Sequence, residues 1–324
     1  MFIALNYIKK NLIMFILLSI ALGVLIGGLY PEEVAHLKVA IIPLTFMLVY
    51  PMMVTLNFKS MTEKINLKLQ GTTQLINFIV FPLIAYFIGI LFFSNEPFLR
   101  LGLLLIALLP TSGMTISWTM MAKGNINAAI RMVVIGLLLG ALLAPFYISI
   151  FLGTAVDVPV FEIVKQILLV VFVPLALAII TQYLLVKKYG VESFQKDIKR
   201  KFPPFSTLGV VLIIFVAISL KAKVIINKPE MILTMVVPLV IMYLLFILVS
   251  MVTARVFFNR NDGIALVNGT LIRSLSLALA ITLSAFPDAQ LTALMIAIAY
   301  TLQVQIAAWN VKLTDKIFKK EDVE

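Results

Sequence analysis

The chain has 324 residues, 62% of them hydrophobic and 13% charged, with a mean hydropathy of +1.11, which excludes an ordinary soluble domain and fits a helical membrane protein. Its net charge of +11 is scattered through short gaps between apolar runs, so it reads as loop charge rather than a nucleic-acid footprint. There is no cysteine and only one histidine, His36, so disulfides, thiolate metal sites, cysteine nucleophiles and histidine metal clusters are excluded.

About 20 apolar residues cross a bilayer as a helix. By that measure the chain has ten spans, near 11–30, 37–57, 72–94, 98–121, 127–152, 162–186, 205–222, 231–257, 263–286 and 290–312. The first run has the length of a span and lacks a small-x-small cleavage pattern, so it is not read as a cleaved leader. Alternating loops on the side of the N-terminus hold 18 Lys and Arg residues, six of them between Lys187 and Lys201, whereas the opposite loops hold 6. Positive residues collect inside, so both termini are expected in the cytoplasm and the protein in the cell membrane. Trp118 and Trp309 fall near span ends as interfacial anchors, and Gly23, Gly27, Gly28, Gly136 and Gly140 let helices approach closely.

Two spans are interrupted. The apolar run from Phe98 to Leu109 meets Pro110, Thr111, Ser112 and Gly113 before its pattern resumes, and a similar interruption lies at Asn268–Arg273. In hydrocarbon, an unpaired backbone group costs several kcal/mol, so such breaks persist only inside protein or beside a cavity. Paired interruptions in corresponding positions are the sequence mark of a transporter binding site. Five spans precede the outer loop at Gly153–Glu162 and five follow, and the fourth of each five is the broken one. The expected fold is therefore an all-α integral membrane protein of ten transmembrane helices. They form two inverted five-helix repeats, about 11–152 and 162–312, whose breaks cross near the midplane.

Of the 26 basic residues, only Arg131 and Arg273 lie within apolar spans, and no acidic residue falls near mid-membrane. Arg273 is ~15 Å deep at 1.5 Å per residue. A charge there faces a cavity or a partner. Three readings stand: it meets an anionic substrate, it stands in for a bound cation, or it bonds the exposed carbonyls of a broken helix. Arg131, ~6 Å inside its span, either joins the site or snorkels to the interface. Thr111, Ser112 and Thr115 bracket the first break, and Asn268 and Thr270 the second, where a resumed half-helix offers N–H donors and a positive dipole end to an anion; the alternative for each hydroxyl is a bond to its own helix carbonyls or to a neighbouring helix. Asn77 and Gln303 are buried amides suited either to the pocket or to interhelical bonds. No nucleotide loop, catalytic triad or metal cluster appears, so neither an enzyme nor a cofactor is expected.

At these residues the chain resembles the superfamily that joins bile acid:sodium symporters with arsenical-resistance permeases. The break at Leu109-Pro110 leading to Ala122-Lys123-Gly124-Asn125 is similar to that family's break and the motif after it. Tyr50-Pro51-Met52-Met53 with the following residues to Lys59, and Asn77-Phe78 with Pro82, resemble the arsenite-permease side. The resemblance implies a core of spans 3–5 and 8–10 rocking against a panel of spans 1, 2, 6 and 7, with substrate between them. It also exposes departures. Where sodium-coupled members carry a Ser-Asn pair, a glutamate and a glutamine, this chain has Thr115-Ile116, Asn268 and Ile272, with Arg273 following and Arg131 on the next span. The arsenite permeases carry a cysteine near the first break, and Pro110–Gly113 has none.

The sequence thus reads as one transmembrane domain over 1–324, a secondary transporter of a small anionic solute whose partners are that solute and the lipid bilayer, without nucleic acid or sodium. The alternatives are an arsenite or antimonite efflux permease and a membrane receptor that binds without transporting.

Overall fold

The computed structural model describes residues 2–56, 66–153, 160–227, 229–286 and 289–318. Lys59, Lys64, Asp157, Lys228, Asp288, Lys319 and Lys320, with the Glu162 and Lys316 side chains, belong to the loop charges above and lie outside the described residues. In chain order the principal helices are α1 (Leu12–Leu29), α2 (Pro31–Val54), α3 (Leu67–Phe92), α4 (Pro97–Leu108), α5 (Gly113–Met121), α6 (Ile126–Leu152), α7 (Val164–Tyr189), α8 (Val191–Ser219), α9 (Glu230–Phe257), α10 (Arg260–Leu271), α11 (Leu275–Ala285) and α12 (Gln290–Ile317). Among the described residues there is no strand, and eight helices are long and apolar enough to cross a membrane; α4, α5, α10 and α11 are shorter.

The chain falls into two compact units. One comprises 1–55, 158–235 and 276–298, and the other 56–157, 236–275 and 299–324. In the first, α8 packs on α1 and α2, and the Ser206 hydroxyl donates to the Leu48 carbonyl at 2.5 Å. The Tyr50 hydroxyl and Thr181 Oγ1 share a hydrogen bond of 2.7 Å, and Gln182 Nε2 donates to Val54 O at 3.2 Å, tying α7 to α2. Hydroxyl and amide side chains thus join helices whose apolar faces would slide equally well over lipid.

In the second unit, local sequence sets where helices start and bend. α3 begins at Leu67, five residues before the apolar run, because Asn66 caps it by accepting from Leu69 N at 3.2 Å. Pro82 has no N–H to offer the Phe78 carbonyl, and the helix widens into a π turn at Ile76–Val80. The Tyr147 hydroxyl of α6 supplies the missing donor to Phe78 O. Arg100 lies in the first turn of α4, where its Nη2 donates to Phe151 O at 3.2 Å in the last turn of α6.

Asparagine caps recur where helices start. Asn125 accepts from Ala128 N at 3.0 Å to begin α6, and Asn259 accepts from Asp262 N at 2.9 Å to begin α10. The Asp262 carboxylate then accepts from Asn125 Nδ2 at 2.7 Å and Asn66 Nδ2 at 3.1 Å. One negative charge therefore joins three helix N-termini, each carrying about half a positive charge.

Candidate functional site

The two interruptions meet inside the second unit. α4 ends because Pro110 forces Leu109 into an extended conformation, with φ −96° and ψ 85°. α10 ends at Leu271, and Ile272 is extended at φ −83° and ψ 112°. The two extended pieces pair antiparallel at Pro110 and Arg273: Thr111 N donates to Ile272 O and Ser274 N donates to Leu109 O, each at 2.8 Å. Backbone groups that neither helix satisfies are thus satisfied by the other break, as a low-dielectric interior requires.

The first break is seated on glycines. A Cβ at Gly136 would lie 2.8 Å from Thr111 Oγ1 and 3.1 Å from Pro110 Cγ, and one at Gly140 would lie 3.2 Å from Pro110 Cδ. Only a side-chain-free face of α6 admits the break this closely. Thr111 has φ 59°, a left-handed conformation that is strained for a β-branched residue. Its Oγ1 donates to Pro110 O at 2.7 Å. Ser112 then starts α5 through a capping box, its Oγ accepting from Met114 N at 3.2 Å while Thr115 Oγ1 accepts from Ser112 N at 3.2 Å.

The second break is organised by one side chain. Arg273 is fully buried, 0% exposed. Its Nε donates to Ile106 O at 3.0 Å, its Nη1 to Asn77 Oδ1 at 2.6 Å and Thr270 O at 2.7 Å, and its Nη2 to Ala107 O. Ile106 and Ala107 are in the last turn of α4 and Thr270 is in the last turn of α10, where carbonyls have no partner within the helix. Neither last turn contains a basic residue of its own. Two helix C-termini contribute together about one negative elementary charge, and a single guanidinium of fixed fork geometry answers both. Beneath it, Phe81 and Phe246 stack face to face at 3.7 Å, with the guanidinium carbon 5.5 Å and 5.9 Å from their centroids.

Amides complete the shell. Asn77, held in the π turn of α3, also donates from Nδ2 to Gly269 O at 3.1 Å. Gln303 of α12 grips the backbone of Arg273 on both sides, its Oε1 accepting from Arg273 N at 2.8 Å and its Nε2 donating to Arg273 O at 3.1 Å. The Tyr243 hydroxyl of α9 donates to the same Gln303 Oε1 at 3.1 Å.

The structure therefore brings Asn77, Thr270, Arg273 and Gln303 into one network and places Thr111 on the paired backbone beside it. Ser112 and Thr115 are buried at the start of α5. Asn268 is one turn below the second break, donating to Ile264 O at 3.1 Å and accepting from Asn310 Nδ2 at 3.2 Å. The Thr270 hydroxyl bonds back to Leu266 O at 2.9 Å and shares a bond of 2.7 Å with Ser250 Oγ. Arg131 is buried in the second turn of α6. Tyr243, Phe81, Phe246 and Asn310 were not singled out in the sequence. A tyrosine and an asparagine inside apolar spans were visible signals, whereas the two phenylalanines are two of 23 in the chain.

The chain has relatives among known proteins. The arsenical-resistance protein Acr3 of Alkaliphilus metalliredigens is 25% identical over 259 residues, covering 73% of this chain and 72% of that protein. Acr3 of Corynebacterium glutamicum is 23% identical over 270 residues, covering 77% and 73%. A transporter of Synechocystis is 24% identical over 266 residues, covering 73% and 70%. The model of the sodium bile acid symporter family matches residues 41–228, more than half of the chain and including the first break. The chain therefore belongs to the sodium bile acid symporter family of membrane transporters.

Proposed function

We propose that this protein carries a small anionic solute by alternating access and does so without a sodium site at the breaks. The observation behind the proposal is the charge balance at the crossing. Four half-helix ends approach one another there. The two C-terminal ends, about −1 together, are matched by Arg273, which occupies the carbonyls that a bound cation would need. The two N-terminal ends, of α5 and α11, contribute about +1, and neither has an acidic residue in its first turn. Ser274, which precedes α11, is 1% exposed and its Oγ has no hydrogen-bond partner among the described residues. A solute carrying one negative charge balances the remaining helix ends and takes up that hydroxyl.

In this reading Arg273 serves as a tethered internal cation rather than a direct substrate contact. Thr111, Ser112, Thr115 and Ser274 surround the solute; Asn77, Asn268, Thr270 and Gln303 hold the frame. Arg131 adds positive potential from α6. The fold is a single domain over 1–324 of ten spans in two inverted repeats, in which α4 with α5 and α10 with α11 each form one broken span. Both termini face the cytoplasm. Supporting this, α3–α6 and α10 lie in one compact unit and α1, α2, α7 and α8 in the other, as a core and a panel would; Ser276–Ile298 groups with the panel.

The test is uptake into proteoliposomes of a panel of small oxyanions and carboxylates, with and without a sodium gradient, beside thermal unfolding with the same solutes. Ligand at ~100 times its Kd adds about 2.7 kcal/mol of stability. Stabilisation and uptake of an anion, indifferent to sodium, is the expected result. Stabilisation by sodium, or no change in substrate affinity and transport on Arg273→Ala, overturns the mechanism. A second reading, arsenite or antimonite efflux, is favoured by the likeness to the two Acr3 proteins. It is opposed by the absence of cysteine, the soft ligand suited to trivalent arsenic. Growth protection of an arsenite-sensitive host decides between them.

A further inference from the structure

The first unit contains a cavity between α2 and α8. It encloses about 290 Å³ and is lined by Met47, Tyr50 and Pro51 of α2 and by Lys201, Phe202 and Phe205 of α8. Five of these six residues present apolar or aromatic surface, and the sixth is a lysine at the rim. The Tyr50 hydroxyl is already engaged with Thr181 and its ring stacks on Phe46 at 5.2 Å, so what it offers the cavity is the ring. A cavity of this size is at the lower end of small-molecule sites, about 300–1,000 Å³, and its walls suit a hydrocarbon chain.

The rim is strongly basic. Lys199, Arg200 and Lys201 form one turn immediately before the apolar helix at Pro203–Ser219, and Lys187 and Lys188 end α7. Lys196 is engaged by Glu192 at 2.6 Å, whereas Lys199 meets the neutral Gln195 amide at 3.5 Å, and Arg200 and Lys201 are exposed. Positive charge at the end of a membrane helix, above an apolar cleft between two helices, matches an amphipathic anion whose charge remains at headgroup level while its chain descends. A loop that served only to fix topology requires the charges but not the cavity beneath them.

We propose that this cleft between α2 and α8 is a binding site for an anionic phospholipid, the phosphate engaged by Arg200 and Lys201 and an acyl chain lying against Met47, Tyr50, Pro51, Phe202 and Phe205. The site is independent of the anion reading at the breaks, and neither stands or falls with the other.

Native mass spectrometry of the protein in neutral detergent, supplied with phosphatidylglycerol or phosphatidylcholine of identical chains, tests it. Wild-type protein is expected to retain one phosphatidylglycerol with a preference of about tenfold or more over phosphatidylcholine. Arg200→Gln/Lys201→Gln, two exposed changes that leave the fold intact, is expected to abolish the preference. Met47→Trp keeps every charge but fills the cavity, and it too is expected to release the lipid, with unfolding temperature and oligomeric state unchanged. Equal binding of the two lipids by wild-type protein overturns the proposal. Full retention by Met47→Trp overturns it as well, since charge alone then suffices. Competition by glycerol phosphate as effective as by the whole lipid makes the cleft a soluble-anion site, and a change of oligomeric state in Met47→Trp makes it a subunit contact; either result removes the lipid.

Discussion

The two breaks pair with each other yet are made by different means. The first is written into its own few residues: Pro110 stops α4, Thr111 turns the chain in a left-handed conformation and Ser112 with Thr115 restarts α5. The second contains no proline, and its helix resumes after Ser274, whose hydroxyl has no hydrogen-bond partner among the described residues. What holds it is Arg273, reaching back to Thr270 O in the helix before it and across to Ile106 and Ala107 in α4. One break is thus a local conformational instruction with a small internal strain. The other is a tertiary construction in which one charge compensates two helix ends. Changes at the second break should therefore propagate to both, while changes at the first should remain near it.

The largest effect is expected from Arg273→Met. It leaves four buried acceptors without a donor, on the order of 1–3 kcal/mol each. Part of this is returned because a charge no longer has to be buried. A net loss of about 3–5 kcal/mol is expected in denaturant unfolding of the detergent-solubilised protein, with transport abolished. Arg273→Lys should recover little, since an ammonium donates from a single atom and lacks the fork that spans two helices. If Arg273→Met unfolds like wild type, the asymmetry between the breaks is wrong.

Next come the amides that hold the guanidinium. Asn77→Leu removes a hydrogen bond to a charged group and the donor to Gly269 O. It is expected to cost about 1.5–3 kcal/mol, and Gln303→Leu a similar amount through Arg273 N and O. Because all three residues share one network, Asn77→Leu added to Arg273→Met should cost far less than alone, and a double-mutant cycle measures the difference. Additive losses would mean that Asn77 supports α3 rather than the arginine. At the first break, Gly136→Ala places a methyl 2.8 Å from Thr111 Oγ1. Overpacking of this kind costs about 1–3 kcal/mol, and protection of the Thr111 amide from hydrogen exchange should fall more than that of Asn268.

This asymmetry also decides what was legible in the sequence. Pro110 amid hydroxyls announces the first break because proline acts on its immediate neighbours. Arg273 announced that something unusual occupied the second, since a charge deep in an apolar run is costly wherever it points. Bonding to the exposed carbonyls of a broken helix was one of its readings and Asn77 a candidate beside it; that the carbonyls include those of Ile106 and Ala107 was not readable, because every residue possesses one. Helix lengths were readable where capping agreed with hydropathy, as at Asn125, and were misjudged where a polar first turn extended the helix, as at Asn66.

The smallest effect is expected from Thr111→Gly, and it is the most discriminating between local strain and tertiary support. Thr111 holds φ 59° against the preference of a β-branched side chain, a cost of about 1–3 kcal/mol that glycine does not incur. Glycine loses more backbone freedom on folding and gives up the hydroxyl bond to Pro110 O. These contributions oppose each other, so the net change in stability should be within about 1 kcal/mol. Transport need not follow stability. A residue held away from its preferred conformation keeps the first N–H groups of α5 in one orientation, and glycine releases them without disturbing the Arg273 network. Thermal unfolding and solute uptake measured on the same preparation should therefore diverge, with unfolding nearly unchanged and uptake reduced. Parallel losses in both would show that the Thr111 hydroxyl, rather than its backbone, secures the first break, and that both breaks depend on side-chain bonds after all.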